Sequence, residues 1–105
     1  MNAKEEFVSH VEDIKSRVKA AIVQHDWSYD DNEDAPSFKL PVGYTEDDLK
    51  AFLDSLNFQY DAGYGGQELF GIIWYEDNTW SARGEYDGSE WWEHHQVPEI
   101  PEVLK

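Results

Sequence analysis

From Leu69 to Val97 the chain alternates apolar and polar side chains in three runs, Leu69 to Glu76, Thr79 to Asp87 and Ser89 to Val97. Asp77-Asn78 and Asp87-Gly88 part them, and such dipeptides tolerate the left-handed backbone that two-residue hairpin turns need. Strands joined that tightly are antiparallel, so this third of the chain is predicted to be a β-meander, stopped by Pro98 and Pro101. A meander buries one face only if something covers it.

The cover is expected from the N-terminal half. Phe7, Val11, Ile14, Val18 and Ala21/Ile22 recur at steps of three and four, which predicts an amphipathic helix from Ala3 to Gln24. Thr45 with Asp48 makes a capping box, and Leu49, Phe52, Leu53 and Leu56 form the stripe of a second helix. The fold class is therefore α+β, two helices packed on a three- to four-stranded antiparallel meander. Its organisation is one domain over residues 1–105: helix to 25, acidic loop 26–44, second helix 45–56, sheet 57–97 opening with the short candidate strand at Phe58 and Tyr60, and tail 98–105.

Two-residue turns at both places put Tyr75 opposite Trp80, Ile73 opposite Ala82, Gly71 opposite Gly84, Leu69 opposite Tyr86, and Gly84 opposite Trp91. One face then holds Leu69, Ile73, Tyr75, Trp80, Ala82, Tyr86, Trp91 and Val97, the expected core. The paired glycines leave room for a neighbouring ring such as Trp91. The other face holds Phe70, Ile72, Trp74, Arg83, Glu85, Glu90, Trp92 and His94. Glu85 and Glu90 oppose each other, a repulsion that Arg83 or a basic partner offsets. Phe70, Ile72 and Trp74 are either open to a partner or covered by the first helix or a second copy of the chain, a possible homodimer.

The first 25 residues balance Lys4, Lys15, Arg17 and Lys19 against Glu5, Glu6, Glu12 and Asp13, so the net charge of −15 arises from Asp26 onward. A surface this negative repels nucleic acid and anionic membranes and attracts basic proteins. With 15% aromatic residues the chain is expected to fold rather than remain an acidic tail. It has no cysteine, hence no disulfide or thiolate metal site. No run reaches the roughly 18 apolar residues of a membrane span and no signal pattern opens it, so a cytoplasmic location is expected.

Motifs for chemistry fail on inspection. Asp30-x-Asn32-x-Asp34 starts like a calcium loop, but Ala35 replaces the required Gly and Pro41 the bidentate Glu. His94 and His95, adjacent on a strand, point to opposite faces and do not share a metal. Carboxylate pairs such as Glu85/Glu90 are too abundant to single out an acid and a base. No catalytic residue, metal or cofactor is expected, and the chain is read as a binding protein, not an enzyme.

The segment from Gly71 to Trp92, with Trp74, Trp80, Trp91 and Trp92 set among Gly84, Glu85, Asp87, Gly88 and Glu90, resembles a stretch of small acidic proteins encoded by bacteriophages. That resemblance implies a phage accessory protein acting inside a bacterial host cell. The function expected is inhibition of a basic, nucleic-acid-binding host protein such as a restriction, CRISPR or polymerase component, through nucleic-acid mimicry. Carboxylates two apart on a strand lie about 6.6 Å apart, near the phosphate repeat. The candidate contacts are Glu85, Asp87 and Glu90 with the loop acids Asp30, Asp31, Glu33 and Asp34, anchored by Trp74 and Trp92. An immunity protein for a basic toxin and a carbohydrate-binding module are the alternatives.

Overall fold

The computed structural model describes residues 2–25, 37–60, 67–86, 89–97 and 100–104. The fold is α+β: helix α1 (Ala3–Ile14), strands β1 (Val18–His25) and β2 (Ser37–Leu40), helix α2 (Glu46–Ser55), and strands β3 (Leu69–Tyr75), β4 (Trp80–Tyr86) and β5 (Ser89–His95). The strands form one antiparallel five-stranded sheet in the order β2-β1-β3-β4-β5. Both helices supply side chains to a single core on one side of it: Ala3, Phe7, Phe52 and Leu56 meet Ala21, Val23, Leu40, Leu69, Ile73, Tyr75 and Trp92.

The predicted helix to Gln24 is corrected: it stops at Ile14, where Lys15 turns left-handed (φ 63°) and bonds its N–H to the Val11 carbonyl. The rest is β1, and a bulge explains the false helical spacing. The register slips between Val18, opposite Tyr75, and Ala20, opposite Trp74. An extra residue there lets Val18 and Ala21, three apart, both face the core. Ser37–Leu40, expected as loop, pairs with β1 as β2; without β1 as a strand it had no visible partner. The acids of that loop lie outside the described residues. At residues 58–60 there is no strand but an isolated bridge from Gln59 to Asn2, with the Ala3 N–H bonded to the Phe58 carbonyl.

Helix α2 forms as its sequence dictates. The Thr45 hydroxyl accepts from the Asp48 N–H, and the Asp48 carboxylate accepts from the Thr45 N–H. Phe52 and Leu56 are buried, with Leu49 and Leu53 half-buried beside them.

The two hairpins divide the register expectation. Between β4 and β5 Tyr86 faces Ser89, Glu85 faces Glu90 and Gly84 faces Trp91, as predicted. Between β3 and β4 the pairs are instead Ile72 with Ala82, Ile73 with Ser81 and Trp74 with Trp80. Asn78 takes φ 68°, and the Asn78 N–H bonds to the Tyr75 carbonyl while the Tyr75 N–H bonds to that of Thr79. The connection is thus a three-residue loop with a left-handed third residue, one longer than assumed. One residue of register reverses the facing of β4 and β5 relative to β3. Arg83, Glu90 and Trp92 therefore turn under the helices, and Trp80, Ala82 and Trp91 turn outward.

Candidate functional site

Arg83 is the centre of the covered side. Its side chain is 1% exposed and that of Glu90 0%. One guanidinium nitrogen, Nη1, pairs with Glu6 of α1, and Nη2 donates to Glu90 Oε1 (3.0 Å) and to the Tyr60 hydroxyl (3.1 Å). Tyr60 donates to the other Glu6 oxygen. The guanidinium also lies over the Trp92 ring, 5.1 Å from its centroid. Burial opposes the guanidinium charge, yet the hydrogen bond and charge of Glu6, with Tyr60, push its pKa upward. Burial first, then the bond to Glu6, raises Tyr60, so it stays a neutral donor.

Glu90 also closes a gap in the sheet. The β3–β4 ladder runs only from Trp74/Trp80 to Ile72/Ala82. Beyond it the N–H groups of Glu68 and Leu69 donate to the Glu90 carboxylate at 2.7 and 2.9 Å. These bonds and Arg83 offset the repulsion from Glu85 across the strand pair. Beside this network His10 Nε2 lies 2.7 Å from the Ser81 hydroxyl, which also bonds the Tyr75 hydroxyl at 2.8 Å. Ser81 is fully buried, so the triad joins α1 to the sheet. His94 and His95 do point apart: His94 bonds Thr79 at 2.8 Å, and His95 stacks on Trp80.

This placement sorts the candidate contacts. Glu90 and Trp92, expected on the open face, are buried, 5% and 8% exposed. Trp74 is open at 42%, and Glu85 is exposed near the β4 terminus. Asp87 and the loop acids Asp30, Asp31, Glu33 and Asp34 lie outside the described residues. Glu6 and His10 were missed as interior groups. The available signal was their place on the helix stripe, Glu6 three after Ala3 and His10 three after Phe7.

Two accessible surfaces among the described residues bear on these candidates. A cleft of about 440 Å³ at the α1–β5 edge is lined by Glu5, Glu6, Ser9, His10, Asp13, Glu90, Trp91 and Trp92. Carboxylates and indoles meet there, the setting that holds a lysine or arginine side chain. On the far side of the sheet Phe70, Ile72, Trp74 and Trp91 are 37–42% exposed, with Trp80, Ile22, Ala20 and Ala82 among them. Trp91 lies across Gly84, where a Cβ would come within 2.6 Å of its Nε1. Among the described residues no group of three or more His, Asp or Glu is placed to hold a metal ion, and no helix is long and apolar enough to cross a membrane. Comparison with family models, curated proteins and solved structures finds no match for this chain.

Proposed function

We propose that this chain is a non-catalytic acidic binding protein that captures a basic protein, taking a lysine or arginine side chain of the partner into the α1–β5 cleft. The observation that carries the reading is that cleft, where the exposed acids Glu5 and Asp13 stand beside Trp91. The net charge of −15 supplies long-range attraction. In the phage setting implied by the Gly71–Trp92 segment, the partner is a nucleic-acid-binding host protein whose DNA site is blocked. An antitoxin role would use the same cleft on a toxin.

The test is affinity capture from bacterial extract at low and high salt, followed by competition of the captured protein with duplex DNA. The E5K/D13K variant is expected to weaken the complex at least about tenfold, since like charges then face each other. D47K/D54K, with the same change in net charge on α2, retains most of the affinity. Equal loss in both variants would reduce the interaction to net charge alone. Capture of a toxin would select the antitoxin role, and tryptophan quenching by glycans at high salt would select a carbohydrate module.

A further inference from the structure

The open sheet face has a pattern that the proposed function does not use. Ladder pairs join Lys39, Ile22, Ile72, Ala82 and Glu93 in one row straight across all five strands. Lys39 and Glu93 are the formal charges at the described ladder positions of this face, and they stand at opposite edges. With strands about 4.8 Å apart, each lies about 10 Å from β3, on opposite sides. The next row is Ala20, Trp74, Trp80 and His95, small on the β1 side and large on the β4 and β5 side.

We infer that this face is a homodimer interface, with a second copy packed sheet on sheet about a two-fold axis parallel to β3. Such an axis sets β2 against the partner's β5 and β1 against its β4, and keeps each row at its own level. Lys39 then meets the partner's Glu93, and the partner's Lys39 meets Glu93. Ala20 lies over the partner's Trp80, Ile22 over the partner's Ala82, and Ile72 and Trp74 over their own copies. The pattern is self-complementary in charge and in bulk, as an isologous contact requires. Five strands of this length offer on the order of 500 Å² of flat area, beyond a scatter of single exposed side chains. The two helical layers stay outside, and of the residues that line the α1–β5 cleft Trp91 alone is shared with this face.

The experiment is sedimentation equilibrium of the full chain across salt concentrations. The protomer is 12.2 kDa, and twice that mass is expected. Two protomers of −15 repel, so added salt tightens the dimer. K39E and E93K alone are each expected to weaken it roughly 2- to 30-fold, because each lost pair counts twice, and K39E/E93K together restore it. If net charge alone governed, E93K would tighten and K39E would weaken, which would overturn the proposed geometry. I72D and I72K change net charge in opposite senses, yet both place like charges on the axis and both should give monomers with native circular dichroism. A native chain that stays monomeric at high salt, or a double variant weaker than either single one, also overturns it.

Discussion

The two sides of this sheet use the same residue types to opposite ends. On the covered side Trp92 and Arg83 stack, and the one guanidinium is shared between the Glu6 and Glu90 carboxylates and the Tyr60 hydroxyl. On the open side Trp74, Trp80 and Trp91 lie in a field whose described ladder positions carry formal charge at the two edges, Lys39 and Glu93. Trp91 and Trp92, consecutive in the chain, thus have different roles for one reason, the direction the Cβ takes from the strand. The covered side should govern folding, and the open side association.

The largest test of that division is R83M. It removes the cation from between Glu6 and Glu90 and leaves a buried carboxylate unpaired, which costs about 3–5 kcal/mol in urea unfolding. W74A, made on the open side in the monomer, should stay within about 1 kcal/mol. A loss from W74A as large as that from R83M would mean that the open face carries the fold, and the comparison would fail.

The glycines give a smaller version of the same contrast. A Cβ on Gly71 would come within 2.5 Å of the Ile22 carbonyl oxygen and 3.1 Å of the Trp92 ring. Backbone in the middle of a sheet cannot retreat, so G71A should destabilise by about 1–3 kcal/mol. At Gly84 the clash is with the Trp91 and Glu93 side chains, which can rotate into solvent. G84A is therefore expected to cost less than G71A and to move the Trp91 fluorescence, read in the same denaturation series.

Legibility in the sequence follows from how local each signal is. The α2 cap needed only Thr45 and Asp48, and the β4–β5 register only the Asp87-Gly88 spacing; both were readable. The β3–β4 register depended on whether Asp77-Asn78 alone or Glu76 with them turns the chain, and that single residue reversed the facing of Arg83, Glu90 and Trp92. The β1 bulge disguised a strand as a helix because inward positions three apart satisfy both periods. The Arg83 network joins residues 6, 60, 83 and 90, brought together only by the finished topology. The acids of the α1–β5 cleft were visible in the sequence, but their proximity to Trp91 and Trp92 was not.

The smallest expected effect sharpens how α1 is held. His10 lies against Trp92 and Ser81, and its pKa is lowered, first by burial, then by His94 and Arg83, against the opposing pull of Asp13 and Glu6. The unfolded chain therefore binds this proton more readily than the folded one. The contribution of neutral His10 is complete above the ordinary histidine value of about 6.5. It is lost as pH falls below that value toward the lowered one, with a slope no steeper than about 1.4 kcal/mol per pH unit for one proton. The H10Q variant keeps a hydrogen-bonding group beside Ser81 without the titration. The difference between native and H10Q unfolding free energies should thus be flat above neutrality and fall on the acid side, before the carboxylates titrate. A difference that stays constant from neutrality to the carboxylate range would show that α1 rests on Phe7 and the Glu6–Arg83 pair alone, with His10 a bystander on the covered side.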